Sequence, residues 1–414
     1  MMRILSGRDA AKYVESLAHR SAKLTALDPQ VRRIINDVRR NGDTALRRYA
    51  ERWDGLERKQ FLRVSPAELD EAWSSISPRL STSLRQAAAN IRRFCTWQEP
   101  SSWTRTRNGI SLSQLVRPLE SVGCYVPGGR HPLVSTLLMT VIPAQAAGVR
   151  NIRVVSPKPS REVLAAAAML NVQEFYRVGG AQAIAALAYG TRSIPRVDKI
   201  VGPGNSYVTA AKKLVSFDCA IDFLAGPTEA VVLSDSGIPE FIAADLVAQA
   251  EHDPEALAVF ITTSRDLASS VAQCSKRIAQ SNTIAQASLA RHGAILIAAS
   301  REAARDWANA MAPEHITLSK ADLPFIYNAG SVFVGDYSAQ AAGDYASGPN
   351  HVLPTAGQAR FRGGLTVSEF VKVITVQELS RKGLHGIAKT VECLAETEGL
   401  RAHAESIRVR CNHA

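Results

Sequence analysis

Aromatic side chains are scarce in this sequence, and its basic residues form no dense cluster. Phe, Trp and Tyr together make up 6% of the 414 residues. A groove for single-stranded nucleic acid combines clustered Lys and Arg with aromatic residues on which bases stack. The 49 Lys and Arg outnumber the 38 Asp and Glu and give a net charge of +11, but they are scattered along predicted helices. The excess of positive charge therefore does not indicate a nucleic-acid-binding protein.

The cysteines argue against a structural zinc site or a redox pair built on thiols. No two of them form a Cys-x-x-Cys motif, the spacing that a zinc ribbon or a thioredoxin-like site needs. The six are Cys95, Cys124, Cys219, Cys274, Cys393 and Cys411. Isolated cysteines in a large chain are typical of a reducing compartment, so we expect a cytoplasmic protein with inert thiols.

No segment has the length and composition of a secretory signal or a membrane span. The residues after Met1 include no apolar run of about 7–15 residues, which a signal peptide requires. The most apolar long stretch, residues 133–149, is interrupted by polar residues and a proline and is too short to cross a bilayer. It predicts a buried helix, and we expect no contact with a membrane.

The first 120 residues, approximately, have the periodicity of helices. Asp28-Pro29 can cap and begin a helix, and the apolar stripe in residues 31–38 ends at Gly42. Residues 65–68 have the form of a capping box that opens a further helix. The sequence therefore predicts a helical N-terminal region.

After residue 120 the pattern changes to short strands that alternate with helices. Residues 152–201 contain three β-branched runs separated by helical segments, and residues 230–298 repeat this alternation. Such a rhythm is typical of parallel sheets with helices on their faces. The sequence thus predicts two α/β units, followed by a helical tail from about residue 377.

Two glycine turns follow predicted strands of the first α/β unit. Gly179-Gly180 precedes Gln182, and Gly202-Pro203-Gly204 precedes Asn205. Ligands of open α/β sheets bind beyond the carboxyl ends of the strands, and glycine there lets a ligand approach the backbone. Neither turn has the Gly-x-Gly-x-x-Gly pattern, however, and two tight turns that serve packing alone would look the same.

A glutamine and a histidine stand near the end of a predicted helix. Gln249 and His252 are three residues apart and so share a helix face, where both could point at one ligand. Histidine is a common metal ligand, whereas a glutamine carbonyl is unusual for zinc. A polar helix end, with the histidine compensating the helix dipole, explains the spacing equally well.

A carboxylate and an imidazole are adjacent at Glu314-His315. In an extended segment the two side chains would point to opposite faces, and they would then serve different protons. Histidine titrates near neutrality and suits a general base. A solvated surface pair is the alternative.

Two further groups of polar residues lie towards the C-terminus. Residues 343–355 form the densest turn-forming stretch of the chain and contain Asp344 and His351; loops of this composition often carry function when a scaffold fixes them. Glu398 and His403 are five residues apart, so they would not share a helix face. Their joint action requires a bend, and both could equally be surface residues on a basic tail.

Together, and in this order, these segments resemble the histidinol dehydrogenase family. The resembling segments are GCYVPGG (123–129), VGGAQAIAA (178–186), VDKIVGPGN (197–205), AGPTE (225–229), AQAEH (248–252), APEH (312–315), GSVFVG (330–335) and the loop 344–355, with Glu398 and His403. They extend over essentially the whole chain. The resemblance implies an α/β fold of two incomplete Rossmann-like parallel-sheet domains, with a helical N-terminal region and a small helical C-terminal segment.

The resemblance also implies a division of the chain and a homodimer. Residues 19–124 and 229–365 would form a discontinuous α/β domain with the zinc and Glu-His residues, and residues 125–228 an inserted NAD-binding domain. Residues 1–18 and 366–395 would form a helical dimer-contact region. Residues 396–414 would cross to the partner, so that Glu398 and His403 complete the other subunit's site.

The activity that the resemblance implies is a zinc-dependent, NAD-linked oxidation in histidine biosynthesis. Members convert L-histidinol through L-histidinal to L-histidine with two NAD⁺. One Zn²⁺ per subunit would orient the substrate and would be bound by Gln249, His252, Asp344 and His403. His315 would be the catalytic base, and Glu314 would activate water for the second oxidation.

The resemblance assigns the remaining site residues to the cofactor and the substrate. Tyr125, Gln182 and Asn205 would contact NAD. The substrate-binding residues would be Thr228, Gln249, His252, His315, Asp344, His351, Glu398 and His403. Thr228 stands where some members carry serine, which keeps the hydroxyl.

A paralogous NAD- and zinc-dependent dehydrogenase on the same scaffold is the main alternative. It would oxidise another small alcohol, such as a sulfonated diol. Such an enzyme would keep the zinc ligands and the Glu-His pair and would change the substrate pocket. The presence of His351 and Glu398 favours histidinol.

Overall fold

The computed structural model describes residues 2–20, 25–128 and 133–413. Gly129, the last residue of the GCYVPGG segment, lies outside the described residues, as do residues 1, 21–24 and 414 of the predicted domain ranges. The strands are β1 (Arg3–Ser6), β2 (Trp103–Arg107), β3 (Ile110–Pro118), β4 (Ser121–Tyr125), β5 (Asn151–Val155), β6 (Glu174–Tyr176), β7 (Lys199–Val201), β8 (Ala220–Ile221), β9 (Glu229–Leu233), β10 (Leu257–Thr262), β11 (Ala294–Ile297), β12 (His315–Leu318), β13 (Ser331–Val334) and β14 (Val371–Leu379). The helices are α1 (Gly7–Ala18), α2 (Asp28–Trp53), α3 (Pro66–Ser75), α4 (Pro78–Trp97), α5 (Val134–Ala146), α6 (Arg161–Met169), α7 (Gly180–Tyr189), α8 (Ser206–Val215), α9 (Pro239–Ala250), α10 (Arg265–Ile278), α11 (Thr283–Arg291), α12 (Arg301–Met311), α13 (Gln340–Tyr345), α14 (Arg381–Thr397) and α15 (Arg401–Asn412).

A five-stranded parallel sheet forms the centre of the first α/β unit. Its strand order is β6-β5-β4-β7-β8, with all pairs parallel. Counted within the unit this is the order 3-2-1-4-5 of dinucleotide-binding folds. Every residue of β4 is buried, as expected for a strand with helices on both faces. The strand order reverses between β4 and β7, and a crevice can open there at the carboxyl ends.

A six-stranded parallel sheet forms the centre of the second unit. Its order is β1-β11-β10-β9-β12-β13, again with every pair parallel. The central strands β9 and β10 are buried along their whole length, which explains their continuous apolar sequences. The two sheets and their helices confirm the predicted α/β fold with two parallel-sheet units.

A small antiparallel sheet is separate from the two parallel sheets and was not expected from the sequence. Strand β14 pairs with β3, and β3 pairs with β2. The predictions of helix alone before residue 120 and in residues 366–395 are therefore wrong in these segments. Strand β14 is largely exposed and lacks the alternating burial of a strand with one face on the core. Its partner β3 lies about 260 residues away in the sequence, so no local sequence pattern predicts the pairing.

Several predicted helices are confirmed in detail. Ser65 and Glu68 form both hydrogen bonds of the capping box that opens α3, and α5 is buried as expected from residues 133–149. At Gly42, where the apolar stripe was predicted to end, the backbone leaves the helical region (φ 51°, ψ −131°), and beyond this kink helix α2 resumes to Trp53. Within the described ranges, no helix combines the length and apolar character needed to cross a bilayer.

The division of the chain into domains remains a prediction, but strand pairing bears on its boundaries. Strand β1 pairs with β11, so the N-terminal residues extend the six-stranded sheet. Strand β4 is continuous to Tyr125 within the five-stranded sheet, so the boundary between residues 124 and 125 cuts it. Helices α2, α3 and α4 pack against α7, α6 and α5, on the five-stranded unit.

A buried carboxylate outside the candidate site gives a prediction of stability against pH. Asp322 is fully buried and accepts hydrogen bonds from Arg301 (2.9 Å to Nε), Arg305 (2.8 Å to Nε) and Ser319 (2.5 Å to Oγ). Burial alone would raise the pKa of Asp322, but these donors lower it from 3.8 to about 2. The carboxylate therefore stabilises the fold above pH 3.8, and this contribution disappears as the pH falls towards 2.

We expect Asp322→Asn to reduce the free energy of unfolding at pH 7 by about 2 kcal/mol. The difference from the wild type should shrink as the pH is lowered through this window. Urea denaturation at neutral pH and near pH 3 measures both values, with Asp306→Asn, an exposed position on α12, as the matched control. A difference that stays constant across the two pH values would contradict the assignment.

Candidate active site

A cleft at the carboxyl ends of the five-stranded sheet brings the three predicted NAD-contacting residues together. Tyr125 ends β4, Gln182 lies in the first turn of α7, and Asn205 precedes α8. All three line one cleft of about 570 Å³, together with Asp54 and Lys158. The cleft thus lies where the strand order reverses, as expected for a ligand site of this fold.

Hydrogen bonds fix the orientation of each of these side chains. The Tyr125 hydroxyl accepts a hydrogen bond from Gly180 N (3.0 Å), and burial raises the pKa of Tyr125 well above its usual range. Gln182 donates through Nε2 to Asp54 Oδ2 (3.0 Å). Asn205 caps α8, with its Oδ1 accepting from Tyr207 N (3.0 Å) and Val208 N (3.1 Å). The wall of the cleft is therefore preorganised.

The turn that carries Asn205 is anchored by a buried ion pair. Asp222 accepts from Gly202 N (2.7 Å), Lys212 donates to Gly202 O (3.0 Å), and the two side chains bond to each other. Gly202 has a φ of +110°, and a Cβ there would lie 2.2 Å from Tyr125 O. Only glycine therefore fits at the point where β7 approaches the end of β4.

A second cluster lies at the amino ends of strands in the six-stranded sheet. His315 begins β12, opposite Ala230 at the start of β9. Its Nδ1 lies 3.6 Å from Glu314 Oε2, and its Nε2 lies 3.5 Å from Asp344 Oδ1. Glu314 and His315 are 6% and 4% exposed. The cluster is a buried imidazole between two carboxylates, which is a candidate acid–base centre.

The meeting of Glu314 and His315 corrects the expectation that their side chains point to opposite faces. Alternation applies only within a strand, and Glu314 lies in a bend before β12. The preceding Ala312 has a left-handed backbone with a φ of 45°, which turns the chain sharply. The two side chains can therefore act on neighbouring atoms.

Two predicted substrate residues hold the Glu314 carboxylate. Its Oε2 accepts from Thr228 Oγ1 (2.5 Å) and from Glu229 N (2.8 Å). Gln249, which is buried at the end of α9, donates in turn to Thr228 Oγ1. One chain of hydrogen bonds therefore joins Gln249, Thr228 and Glu314.

Charge sets the protonation of the imidazole and its carboxylate partner. Burial alone would lower the pKa of His315, but the Glu314 and Asp344 carboxylates raise it to about 10. Burial would raise the pKa of Asp344, but the hydrogen bond and charge of His315 hold it below its usual range, with smaller contributions from His351 and His252. Asp344 and His315 therefore form a buried ion pair.

The two remaining histidines of this region surround Asp344. His351 Nδ1 lies 2.9 Å from the Asp344 carbonyl oxygen, and burial lowers the pKa of this imidazole. His252 follows α9, is exposed, and lies close enough for its charge to lower the pKa of Asp344. His315, Asp344 and His351 line a cavity of about 320 Å³, so this cluster is open to a small ligand.

Glu398 and His403 do not join this cluster within one chain. Both are exposed, on either side of the turn at Gly399, which has a φ of 76°. The bend that their spacing required is thus present between α14 and α15. Helix α15 packs mainly on α14, and in the described residues no hydrogen bond or ion pair connects Glu398 or His403 to the cluster.

The predicted metal ligands offer a donor set suited to zinc but do not form a complete site in one chain. Gln249, Asp344 and His252 provide an amide, a carboxylate and an imidazole, and α13 packs on α9. Nitrogen and oxygen donors of this kind suit Zn²⁺, although the amide is unusual. Among the residues that the structure describes, no three His, Cys, Asp or Glu side chains are grouped to hold a metal.

The structure adds supporting residues that the sequence did not single out. Glu229 accepts from Arg20 Nε (2.6 Å) and Ala356 N (2.9 Å), and its own carbonyl oxygen lies 3.2 Å from His315 Nδ1. Glu229 was part of the AGPTE segment, which was its only signal. Asp245 lies one turn before Gln249 on α9, and burial raises its pKa to about 6.

The fold and the two clusters define an α/β enzyme with a cleft at the switch point of one sheet and an acid–base cluster at the amino ends of strands in the other. A family model described as histidinol dehydrogenase matches residues 17–411. The chain therefore belongs to the histidinol dehydrogenase family and is an oxidoreductase.

Individual relatives cover nearly all of the chain. It is 49% identical over 393 residues to the histidinol dehydrogenase of Methanothermobacter thermautotrophicus, covering 91% of this chain and 92% of the relative. It is 43% identical over 427 residues to that of Geobacter sulfurreducens, covering 99% and 100%. The crystal structure of histidinol dehydrogenase from Elizabethkingia anophelis matches with a TM-score of 0.94 and 35% identity, covering 99% of this chain and 98% of that one.

Proposed function

We propose that the protein oxidises L-histidinol through L-histidinal to L-histidine, with bound Zn²⁺ and two NAD⁺. The observation that carries the proposal is the buried Glu314–His315–Asp344 cluster, bonded to Thr228 and Gln249 and open to a small cavity. The names of the relatives supply the substrate. The cleft with Tyr125, Gln182 and Asn205 supports a dinucleotide as the oxidant.

A short route of bonded residues connects the two sites. Asn205 precedes α8, and Thr209 in the next turn of that helix donates to Ala225 O (3.1 Å). Three residues further on, Thr228 bonds to Glu314. In the proposed reaction the dinucleotide extends from the cleft along this route towards a small molecule held at the Glu314–His315 pair.

The overall chemistry requires two hydride transfers and one water. The first removes a hydride and the hydroxyl proton from the alcohol to give the aldehyde. Water then adds to the aldehyde, and the hydrate loses a second hydride and a proton to give the acid. NAD⁺ held by Tyr125, Gln182 and Asn205 would be the acceptor of each hydride, and Zn²⁺ held by Gln249, His252, Asp344 and His403 would supply a positive charge that orients the substrate.

His315 is the base in this proposal. A carbonyl oxygen only accepts hydrogen bonds, so the contact with Glu229 O keeps the hydrogen of a neutral ring on Nδ1. Nε2 then faces Asp344 and the cavity and can accept the hydroxyl proton. A cation bound at Asp344 would compete for that carboxylate, and the pKa of His315 would then fall towards the range of a general base.

Glu314 activates water for the second oxidation. Both bonds from Thr228 and Glu229 go to its Oε2, which leaves Oε1 to accept a proton from water. The hydroxyl and the backbone N–H hold the carboxylate in one orientation, as a general base requires.

Glu314→Gln should slow the second oxidation more than the first. The amide keeps an oxygen for Thr228 and Glu229 but cannot take a proton. We expect NADH formation from L-histidinal to fall about 10²–10³-fold, with L-histidinol oxidation reduced by less than about tenfold. Single-turnover assays with each substrate measure the two steps. Wild-type rates in both assays would show that Glu314 has another role.

A paralogous activity on another small alcohol remains the second candidate, because it would use the same Glu314–His315 pair. NADH formation with L-histidinol, compared with other small alcohols including a sulfonated diol, distinguishes the two, and zinc is measured in the same sample. No turnover of L-histidinol, together with a clear rate on a different alcohol, would overturn the proposal.

The proposal includes a homodimer in which the C-terminal segment completes the partner's site. Glu398 and His403 flank a turn at the surface, so a second copy can receive them. His403 would supply the fourth zinc ligand, and Glu398 a carboxylate for a cationic or polar end of the substrate. The exchange also explains why the ligand set is incomplete in the described part of one chain.

A further inference from the structure

Asp54 reaches the cofactor cleft from outside the five-stranded unit. It follows the last residue of α2, is 7% exposed, and lines the cleft with Tyr125 and Gln182. Its Oδ2 accepts from Gly179 N (2.9 Å) and from Gln182 Nε2 (3.0 Å). Burial raises the pKa of Asp54, against the effect of these donors and of Lys158. A buried carboxylate thus lies where α7 begins.

This carboxylate determines which end of the Gln182 amide faces the cleft. An ionised carboxylate only accepts hydrogen bonds, so the Gln182 nitrogen must face Asp54, and its Oε1 must face away. The two ends of an amide are otherwise assigned only from the hydrogen-bond network. Asp54 therefore makes Gln182 an acceptor towards any ligand in the cleft.

The same contacts already occupy two N–H groups where α7 begins. Free N–H groups at the start of a helix bind anions, but here Asp54 accepts from Gly179 N and Tyr125 accepts from Gly180 N. The charge of Asp54 also disfavours a second anion beside it. The acceptor that Gln182 presents therefore suits the hydroxyl and amino donors of a dinucleotide.

Neighbouring residues hold Asp54 and its counter-charge in place. Gly55, with a φ of +65°, leaves room for the Lys158 side chain, since a Cβ there would lie 2.2 Å from Lys158 Cε. Lys158 follows β5 and also lines the cleft. One cation therefore lies beside the carboxylate without forming an ion pair within 4 Å among the described residues.

We infer that Asp54 is a positioning residue for the dinucleotide, because it holds the Gln182 amide with its carbonyl oxygen towards the cofactor. The inference rests on the proposed function, in which NAD occupies this cleft. It adds a residue from the N-terminal helical region to those that determine cofactor affinity.

The test is the affinity for NAD⁺ of Asp54→Ala, measured by titration calorimetry without substrate. Alanine removes the oxygen that accepts from both Gly179 N and Gln182 Nε2, so the Gln182 amide is no longer held in one orientation. We expect the Kd for NAD⁺ to rise about tenfold or more. With saturating NAD⁺ and L-histidinol, kcat should stay within about threefold of the wild type.

Asp43→Ala is the matched control. Asp43 lies on the same helix and also bonds across to the five-stranded unit, accepting from Ser193 N (3.2 Å) and Ser193 Oγ (2.7 Å), but it does not line the cleft. A similar loss of unfolding free energy is expected in both variants, with a change in Kd only for Asp54→Ala.

A conservative variant separates orientation from general damage. In Asp54→Asn the side-chain oxygen can take the place of Oδ2 and accept from both Gly179 N and Gln182 Nε2. We expect this variant to keep most of the affinity that Asp54→Ala loses.

The outcomes are distinct. Equal effects of Asp54→Ala and Asp43→Ala on the Kd, or a loss in Asp54→Asn as large as in Asp54→Ala, would overturn the positioning role while leaving the proposed function intact. Failure of the wild type to bind NAD⁺ would overturn the proposed function, and this inference with it.

Discussion

Replacing His315 by asparagine is expected to lower kcat about 10³-fold, within the range for loss of a general base. The side chain is buried, its Nδ1 is held by Glu229 O, and its Nε2 faces Asp344 and the cavity. Asparagine can still donate to a neighbour but cannot take the hydroxyl proton. The KM for NAD⁺ should change less than about threefold, because the cofactor cleft does not include this residue.

His292→Asn is the control for the histidine replacement. His292 pairs with Glu255 near the surface (3.2 Å), so this variant should keep wild-type kcat. Steady-state kinetics, zinc content and urea denaturation are measured on both proteins. If His315→Asn retained activity within about tenfold of the wild type while binding zinc, another group would have to be the base.

The second large effect is expected from mixed dimers of two inactive variants. One subunit carries His315→Asn and the other His403→Ala, and differently tagged chains allow the mixed dimer to be purified. If the C-terminal segments are exchanged, one of the two sites combines His315 from the chain with His403→Ala and His403 from the chain with His315→Asn. Both residues of that site are then unaltered. The mixed dimer should then show about half of the wild-type activity, whereas each homodimer should be nearly inactive.

The reverse arrangement supplies the matched control. A mixed dimer of a wild-type chain and a chain carrying both substitutions should be nearly inactive if the C-terminal segments are exchanged. One of its sites then has residue 315 altered, and the other has residue 403 altered. If His403 acted within its own chain, the two results would be interchanged. That outcome, or zinc content unaffected by His403→Ala, would contradict the assignment of His403.

The sequence predicted elements well where burial has a regular period. Val31, Ile34, Ile35 and Val38 form the buried face of α2, and strands β4, β9, β10 and β11 are buried along their whole length. It failed at β14, where both faces are largely exposed and the partner strand is distant. The apolar period of a sequence reflects the burial of one face of an element. A strand that is exposed on both faces therefore has no apolar period to detect.

The chemistry of the site was predictable only in part. The resemblance supplied Gln249, Thr228, Glu314, His315 and Asp344, and the structure brings these residues together. The contact between Glu314 and His315 was not predictable, because it depends on the backbone turn at Ala312. No sequence motif contains Asp54. Its place in the cleft is recognised only from the structure, in which α2 packs against α7.

The position of the two sites on opposite ends of helices has an electrostatic consequence. Helix α9 ends at Ala250, next to Gln249, and the C-terminal end of a helix carries partial negative charge. Helix α8 begins beside Asn205, and its N-terminal end carries partial positive charge. The helix dipoles therefore favour positive charge at one site and negative charge at the other, which agrees with the metal ion and the dinucleotide of the proposed function.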